Sequence, residues 1–384
     1  MELKSPPPVA TTPAGQCDKR FTRDKGDISL ELQLAKPMTL TMKKLTLSTL
    51  LVAQSLLAAP LVYEGDSGPG QGSHIVFIAA DQEYRSEETL PAIARILAKH
   101  HGFKCTVLFS LDTDGTIHPG KNDIPGMEAL NDADLMVNFM RFRNLPDAQM
   151  QAFEDYLLRG GSVFGLRTAS HAFMIKEPES PWARYHFMTK LRGYARGFGR
   201  HVLGDSWSGH HGRNHVMSTR IDILPAFASH PIMRGVETPW AVEGGYWQKP
   251  DGNCQVMAHA QPLVGMEETS ADAPDFKPAP AFWTRDYRWG KGQPGKAAYL
   301  AYGASESLMD ECFRRLLINT CFALSGHEAD IRADLNIDFV GDYKPSTFKG
   351  GKHLQGVTPA MLQGWDAPIP TGGKSSPVVS QPQK

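Results

Sequence analysis

Residues 160–173 read GGSVFGLRTASHAF, and this stretch decides the fold class. Two glycines end a helical pattern, and an apolar run from Ser162 to Leu166 follows them. Small and polar residues then replace the apolar ones as far as His171. A buried strand that ends in polar side chains is typical of a parallel sheet, where ligand sites lie at the strand ends. We therefore predict a strand over 162–168 with functional side chains at its carboxyl end.

Three strands precede this stretch and share its apolar character. They are HIVFIAAD at 74–81, FKCTVLF at 103–109 and ADLMVNFMR at 133–141. Helical spacing of apolar residues indicates two helices, from Ser86 to Gly102 and from Leu145 to Gly160. Strands and helices joined in this order predict an α/β fold, with a parallel sheet covered by helices on both faces.

The second half of the chain is less regular. No period survives between 175 and 213, and a long irregular insertion of this kind is commonly functional. Strands are predicted over 216–224, over 254–265, and as a pair joined by a Gly/Pro turn over 280–303. A helix is predicted from Ser307, as its N-cap, to Leu324.

The carboxyl ends of the parallel strands nominate the candidate site, because chemistry in such sheets is placed there. The nominated residues are Asp81, Gln82, Glu83 and Tyr84 after the first strand, Arg141 and Arg143 after the third, Arg167, Thr168, Ser170 and His171 after the fourth, and Tyr302, Ser305 and Glu306 after the last.

Composition excludes several classes of protein. The chain has 384 residues and a formal net charge of -1, which gives no electrostatic footprint for nucleic acid. The cysteines after the N-terminal region are Cys105, Cys254, Cys312 and Cys321, and none stands in a CxxC pair. Neither a redox motif nor a zinc ribbon is indicated. We predict buried thiols, with a disulfide left open in an oxidising compartment.

The first 73 residues indicate export. A basic start at 42–44, an apolar run and small residues before Pro60 predict a signal peptide over 42–59. The apolar run of about 15 residues is too short for a membrane span, so none is expected in the mature protein. An uncleaved anchor helix is the alternative. We predict that 1–41 are a disordered gene-model extension, that 60–73 are a linker, and that the protein is secreted or periplasmic.

Hydrophobic spacing fades after Gly326. We therefore predict one main domain over 74–326, followed by a C-terminal extension over 327–384 that is largely irregular. Its end, from about residue 366, is predicted to be disordered, because it is rich in proline, glycine and serine and poor in large apolar residues.

Six segments of the main domain, in their order along the chain, resemble the trehalose-utilisation (ThuA-like) family. The resemblance rests on HIVFIAAD, GGSVFGLRTASHAF, LGDSWSGHHGRNH, HPIMRGV, PAFWTRDYRWGKGQPGKAAYLAYGAS and FRRLLINTCFALSG, and it covers roughly residues 74–326. It implies a flavodoxin-like fold related to that of class I glutamine amidotransferases. It also implies a role in carbohydrate catabolism, with keto-glycosides among the candidate substrates.

Two positions depart from the family pattern. Amidotransferases carry a nucleophilic Cys after the fourth strand, and many ThuA-like proteins carry His there, whereas this chain has Arg167. A second family histidine follows a late strand in a Gly-His pair, where this chain has Gly303 and Ala304. Arg167 excludes Cys-dependent acyl transfer at this position, and the roles of the two histidines do not transfer.

Proton transfer at the strand ends is the chemistry that these residue types favour. Asp81, Glu83 and His171 are the candidate general acids and bases, and Arg167 is the candidate for stabilising an oxyanion. Candidate substrate-binding residues are Tyr84, Arg141, Thr168, Ser170, Tyr302 and Ser305. In the competing interpretation Ser170 caps a following helix and His171 packs in its first turn.

The loop GHHGRNH at 209–215 adds His210, His211, Arg213 and His215 as candidate substrate-binding residues. His211 and His215 have the spacing of paired zinc ligands on a helix, and His201 or Asp205 would complete such a site. The glycines of the loop argue against a helix, so we predict no resident cofactor and leave a divalent metal ion as the alternative. Solvated loop histidines are a further alternative.

We predict a protein that acts on a small carbohydrate by general acid/base chemistry, as a lyase, isomerase or hydrolase. The alternative is a non-catalytic sugar-binding or interaction module on the same scaffold, because fold alone does not determine function.

Overall fold

A computed structural model describes residues 60–369 of the chain. Within that range the chain forms twelve β-strands and three α-helices. The strands are β1 Leu61–Tyr63, β2 His74–Ala80, β3 Lys104–Phe109, β4 Leu135–Met140, β5 Ser162–Leu166, β6 His210–His211, β7 Thr219–Ile223, β8 Trp240–Ala241, β9 Gly245–Tyr246, β10 Gln255–Pro262, β11 Ala279–Arg288 and β12 Pro294–Leu300. The helices are α1 Ser86–His101, α2 Asp147–Leu158 and α3 Glu311–Leu324.

Five parallel strands form the centre of a ten-stranded sheet, in the order β3-β2-β4-β5-β12. Along the chain this order is 2-1-3-4-5, which is that of flavodoxin-like sheets. The predicted α/β, flavodoxin-like fold is therefore confirmed. The strand order reverses between β2 and β4, and sheets of this kind bind ligands at the carboxyl ends of the strands beside such a reversal.

Antiparallel strands extend this parallel centre on both sides. On one side β11, β10, β7 and β8 follow β12, and on the other β1 pairs with β3. β1 lies within residues 60–73, which were predicted to be a linker throughout. Leu61 and Tyr63 are buried and hold this edge strand in place, but three residues are too short a pattern to predict a strand.

The connections place helices on both faces of the sheet. The β2–α1–β3 and β4–α2–β5 crossovers run in opposite directions along the sheet. Since crossovers between parallel strands are right-handed, α1 and α2 lie on opposite faces. α3 packs against α1, β5 and β12, so it shares the face of α1.

The core follows the parallel strands. Every residue of β2 is buried, and fully buried side chains such as Phe77 each contribute roughly 1.5–3 kcal/mol to stability. Gly165 of β5 leaves room for Leu203 from the irregular region, because a Cβ there would lie 2.6 Å from the Leu203 Cδ1 atom. The insertion is thus packed directly onto the sheet beside the predicted site.

The last helix is shorter than predicted. A 3₁₀ turn spans Ser305–Met309, and α3 starts only at Glu311. The Asp310 carboxylate accepts a hydrogen bond from the Phe313 backbone N–H at 2.7 Å and is the N-cap. Ser307 is not the cap, because its hydroxyl donates to the buried Glu243 carboxylate instead.

Residues 327–369, the described part of the predicted C-terminal extension, are irregular but packed. Arg95 of α1 is fully buried and donates to the carbonyls of Val340 at 3.3 Å and Leu362 at 2.8 Å. Phe348 and Val357 are buried in the same region. The absence of a helical or alternating period therefore does not mean an absence of tertiary contacts.

The predictions for 1–59, the gene-model extension and the signal peptide, lie outside the described residues, as does the end of the chain from 370. Among residues 60–369, the apolar stretch of every helix falls short of what a membrane crossing requires.

Candidate active site at the carboxyl edge of the sheet

Arg167 follows β5 directly and is fully buried. Its guanidinium carbon lies 3.6 Å from the ring centroid of Tyr84 and 4.7 Å from that of Tyr246. Its Nη1 atom donates to the carbonyls of Gly244 at 2.8 Å and Ala301 at 3.1 Å. The planar, permanently charged guanidinium suits this position, because it stacks on rings and bonds in its own plane.

The backbone at Arg167 makes a sharp turn, with a φ angle of 42°. A positive φ is costly for a residue with a side chain, and such strain is concentrated at functional sites. The Tyr299 hydroxyl donates to the Arg167 carbonyl at 2.6 Å, and the Ser170 hydroxyl donates to the same oxygen at 3.3 Å. Ser170 therefore stabilises the turn itself rather than capping a later helix.

Glu243 is a site residue that the sequence analysis missed. It is fully buried, and one carboxylate oxygen accepts hydrogen bonds from the backbone N–H groups of Gly303 at 2.7 Å and Ala304 at 2.8 Å. The same oxygen lies 4.0 Å from Arg167 Nη1. The Glu243 carboxylate, carried by the segment between β8 and β9, thus lies just beyond the end of β12 and balances the buried arginine charge.

Asp81 ends β2 and shapes the loop that follows. Its Oδ1 atom accepts hydrogen bonds from the backbone N–H groups of Glu83, at 2.8 Å, and Tyr84. Burial raises the pKa of the Asp81 carboxyl above its ordinary value, and the nearby Arg141 opposes this rise. Asp81 therefore combines a structural turn with a carboxyl that is reluctant to ionise.

Glu83 and Arg141 meet at the rim. Their carboxylate and guanidinium groups form an ion pair at 2.9 Å, and both side chains are partly exposed. They follow β2 and β4, which are adjacent strands in the sheet. Arg143, by contrast, is buried. It donates to the Gln82 side chain at 3.1 Å and so restrains the loop that follows β2.

His171 lies one turn beyond Arg167 among aromatic rings. Its ring centroid is 5.0 Å from Phe142, 5.3 Å from Trp207 and 5.5 Å from Tyr246. Burial lowers the pKa of the imidazole well below its ordinary value, and the charges of Arg141 and Arg167 lower it further. The imidazole is therefore neutral at neutral pH, which is the form that accepts a proton.

The hydrogen bonds around His171 assign its tautomer. The Ser170 hydroxyl already donates to the Arg167 carbonyl, so at 3.2 Å it accepts from the Nδ1–H of His171. This assignment leaves the lone pair on Nε2, directed away from the backbone.

The predicted histidines of the 209–215 loop separate. His210 is exposed, and its ring lies 5.5 Å from Tyr246, at the same rim as His171. His211 is buried and donates through Nε2 to the Lys277 carbonyl at 2.8 Å. His215 is exposed and stacks on Phe348 with 4.2 Å between ring centroids. Arg213 is exposed on the same loop.

The four residues named as possible metal ligands have separate partners. His211 and His215 face different partners, and His201 and Asp205 are engaged with the Ala195 carbonyl and the Lys249 backbone N–H. Within residues 60–369 no three His, Cys, Asp or Glu side chains are placed to hold a metal ion.

Two of the residues predicted after β12, Tyr302 and Ser305, pack behind the site. Tyr302 is buried, and a Cβ on Gly245 would lie 2.1 Å from the Tyr302 hydroxyl oxygen, so β9 requires glycine there. Ser305 is buried, and its hydroxyl donates to the Ser346 carbonyl at 3.0 Å. Both residues lie at the predicted edge, but they contact protein on the inner side.

Unsatisfied polar atoms concentrate at this edge. Among residues 60–369, fifteen buried side-chain nitrogen and oxygen atoms have no hydrogen-bond partner. Six of these atoms belong to the strand ends and the wall beside them: Asp81 Oδ2, Arg141 Nε, Arg167 Nε, Arg167 Nη2, Thr168 Oγ1 and Trp207 Nε1. Because an unpaired buried polar group costs about 1–3 kcal/mol, such a cluster indicates a place where water or a ligand supplies the missing bonds.

A separate recess of about 610 Å³ lies to the side, where β3 and β4 end. It is lined by Leu111, Asp112, Thr113, Lys121, Asn122, Asp123, Asn144, Leu145, Pro146, Asp147, Glu177, Ser180 and Trp182. None of these is a residue predicted for the site. We favour the strand-end cluster as the site, because six of the buried unsatisfied atoms and the shifted pKa values of Asp81 and His171 lie there.

A protein-family model and several solved structures are similar to this chain. The family model ThuA, described as trehalose utilisation, matches residues 75–322. A ThuA-like protein from Bacteroides uniformis is 14% identical, covering 71% of this chain and 98% of its own, with a TM-score of 0.42. A ThuA-like protein from Parabacteroides merdae is 16% identical, covering 72% and 96%, with a TM-score of 0.41.

A cytoplasmic protein from Salmonella typhimurium is similar at 14% identity, covering 65% of this chain and 99% of its own, with a TM-score of 0.38. None of the curated proteins compared with the chain matches it in sequence.

Proposed function

The chain belongs to the ThuA family of trehalose-utilisation proteins, and from this premise we propose that it acts on a small carbohydrate at the carboxyl edge of its sheet. The proposed reaction moves a proton at a carbon next to a carbonyl group. Keto-glycosides are the proposed substrates, since they combine sugar hydroxyls with such a carbonyl. The apolar segment at 42–59 supports export, so the proposal places this activity outside the cytoplasm.

The observation that carries the proposal is the cluster of unsatisfied buried atoms beside a neutral imidazole. Donors from Arg141, Arg167 and Trp207 outnumber the one carboxyl oxygen of Asp81 in this cluster, and the Thr168 hydroxyl lies within hydrogen-bonding reach of that carboxyl. A ligand rich in oxygen acceptors would satisfy them. The rings of Phe142, Phe187, Trp207 and Tyr246 surround His171, and rings of this kind pack against the apolar faces of sugars.

The proposed mechanism uses His171 as the base. Nε2 takes a proton from the carbon next to the carbonyl. The electron pair of the broken C–H bond forms a C=C bond, and the π pair of the C=O bond moves to the oxygen to give an enolate. Arg141 at the rim and Arg167 beneath it stabilise the resulting negative charge. The imidazolium then returns a proton to the intermediate. These steps use side chains alone and require no metal ion or organic cofactor.

Hydrogen–deuterium exchange tests this proposal. A keto-glycoside is incubated with the full-length protein in D₂O, and proton NMR follows the signal of the C–H beside the carbonyl. We expect loss of that signal with wild type and at least about hundredfold slower loss with His171→Asn, because general base catalysis contributes about that much. His259→Asn is the control, since His259 lies on β10 outside the site.

Exchange by His171→Asn at the wild-type rate would contradict the role of His171.

One observation favours the alternative of a non-catalytic sugar-binding module: Arg167 and Asp81 are both almost completely buried. That alternative predicts that wild type binds the keto-glycoside in the NMR sample without any exchange of its protons.

A further inference from the structure

Residues 343–351, here called the C-terminal strap, lie beyond the end of the family-model match at residue 322. The strap nevertheless runs along the candidate site. The Tyr343 hydroxyl donates to the Ser305 carbonyl at 2.7 Å, and the Ser346 backbone N–H donates to the Glu88 carboxylate at 2.7 Å. The strap is therefore attached both to the loop after β12 and to the start of α1.

The strap also bonds the loop that follows β2. The Lys349 backbone N–H donates to the Glu83 carbonyl at 2.9 Å, and the Gly351 backbone N–H donates to the Gln82 carbonyl at 2.8 Å. These bonds fix the backbone of the residue whose carboxylate pairs with Arg141 at 2.9 Å. The position of the Glu83–Arg141 pair thus depends on a segment outside the family match.

Phe348 connects the strap to two predicted site residues. Its ring centroid lies 5.1 Å from that of Tyr84, on which Arg167 stacks, and 4.2 Å from that of His215. Phe348 is buried, and its backbone N–H donates to the Glu306 carboxylate at 3.0 Å. The strap consequently forms a wall of the site with its own packed anchor.

Lys349 follows this anchor and is exposed. It lies at the rim, because its backbone N–H bonds the Glu83 carbonyl at 2.9 Å and the preceding Phe348 stacks on His215. The Glu83 carboxylate is already paired with Arg141, and the Glu243 carboxylate lies beside Arg167. Among residues 60–369, Lys349 forms no ion pair, so its ammonium group is available to an anionic ligand.

We propose that the C-terminal strap completes the ligand site and that Lys349 receives an anionic group of the sugar. This inference rests on the proposed function and narrows its substrate class to sugars with a carboxylate or a phosphate. The Lys349 ammonium group binds either anion as a point charge.

Calorimetric titration of the full-length protein at low ionic strength tests the inference with three probes: glucose, gluconate and glucose 6-phosphate. We expect wild type to bind at least one anionic probe about tenfold more tightly than glucose, and the tighter of the two identifies the anion. Lys349→Met is expected to abolish this preference, and Lys349→Arg to retain it. Lys344→Met is the matched control, because Lys344 belongs to the strap but pairs with Asp342 at 2.9 Å.

Equal affinity for glucose and both anions, unchanged in Lys349→Met, would overturn the anionic-sugar inference and leave carbohydrate binding intact. A preference that Lys344→Met abolishes as strongly as Lys349→Met would also overturn it, because the effect would then be general to the charge of the strap. Failure of wild type to bind any of the probes or the keto-glycoside would overturn the proposed function together with the inference.

Discussion

At the scale of single residues, Arg167 links the parts of the site. Its charge is fully buried, and its neighbours come from the β2 loop, the β8–β9 region and the end of β12. A buried charge is tolerated only where it is paired and hydrogen-bonded. Arg167 meets that condition, because the Glu243 carboxylate lies 4.0 Å from it. That carboxylate in turn accepts hydrogen bonds from two backbone N–H groups.

We predict that Arg167→Met destabilises the fold by about 3–5 kcal/mol, because it leaves Glu243 as an uncompensated buried charge. Urea unfolding measures the change. The double variant Arg167→Met, Glu243→Gln is expected to recover part of the loss. Arg192→Met is the control, since Arg192 is exposed and substitutions at exposed positions usually stay within about 0.5 kcal/mol. A loss no larger than that of the control would show that Arg167 does not balance Glu243.

The sequence predicted Arg167 as a site residue from its place after an apolar strand, but not its burial. Tyr246 and Glu243 lie some distance along the chain, and their segment has no period that predicts an approach to β5. His171, Asp81, Glu83 and Arg141 were predicted for the same reason as Arg167, since strand ends converge in a parallel sheet. No such rule predicts that His210, His211 and His215 lie apart, because all three belong to one irregular loop.

At the scale of elements, the start of α1 carries an unusual acidic cluster. Glu87 and Glu88 are buried beneath the strap, and Glu306 accepts a hydrogen bond from it. Burial, together with the Glu88 charge, raises the pKa of Glu87 to about 8, and burial raises the pKa values of Glu88 and Glu306 to about 7. Glu87 and Glu88 lie in the first turn of α1, where the helix dipole favours carboxylates, but their burial opposes ionisation.

We predict that ionisation of Glu87 destabilises the folded protein as pH rises. Its carboxyl ionises near 4.5 when unfolded and near 8 when folded, so stability that is present below pH 4.5 is lost between these values. Glu87→Gln is therefore expected to be more stable than wild type at about pH 8.5, by an amount on the order of a few kcal/mol, and to differ less at about pH 5.

Thermal unfolding at the two pH values checks this expectation. Glu128→Gln is the matched control, because Glu128 is exposed in a 3₁₀ turn. Equal differences between Glu87→Gln and wild type at both pH values would show that the folded protein ionises Glu87 normally.

The elements themselves differ in how well the sequence predicts them. β2 to β5, α1 and α2 were predicted because long apolar or helical patterns specify them. β1, β6, β8 and β9 have two or three residues each and are held by partners distant in sequence. The strap has neither helix nor strand, so its packing depends on side-chain anchors such as Phe348 that no periodicity marks.

At the scale of the whole molecule, the sheet offers two places for a ligand. One is the strand-end cluster around Arg167 and His171, and the other is the acidic recess of about 610 Å³ beside β3 and β4, with Trp182 in its lining. The flavodoxin-like strand order, the unsatisfied buried atoms and the strap contacts all favour the first.

Side-chain NMR of the full-length protein, titrated with a keto-glycoside, tests this central claim most directly. The account predicts that the ring signals of His171 and His210 shift on binding, while those of His100 and His259, which lie on α1 and β10, stay unchanged. A shift of the Trp182 indole signal without any shift of His171 or His210 would place the ligand in the recess and contradict the account.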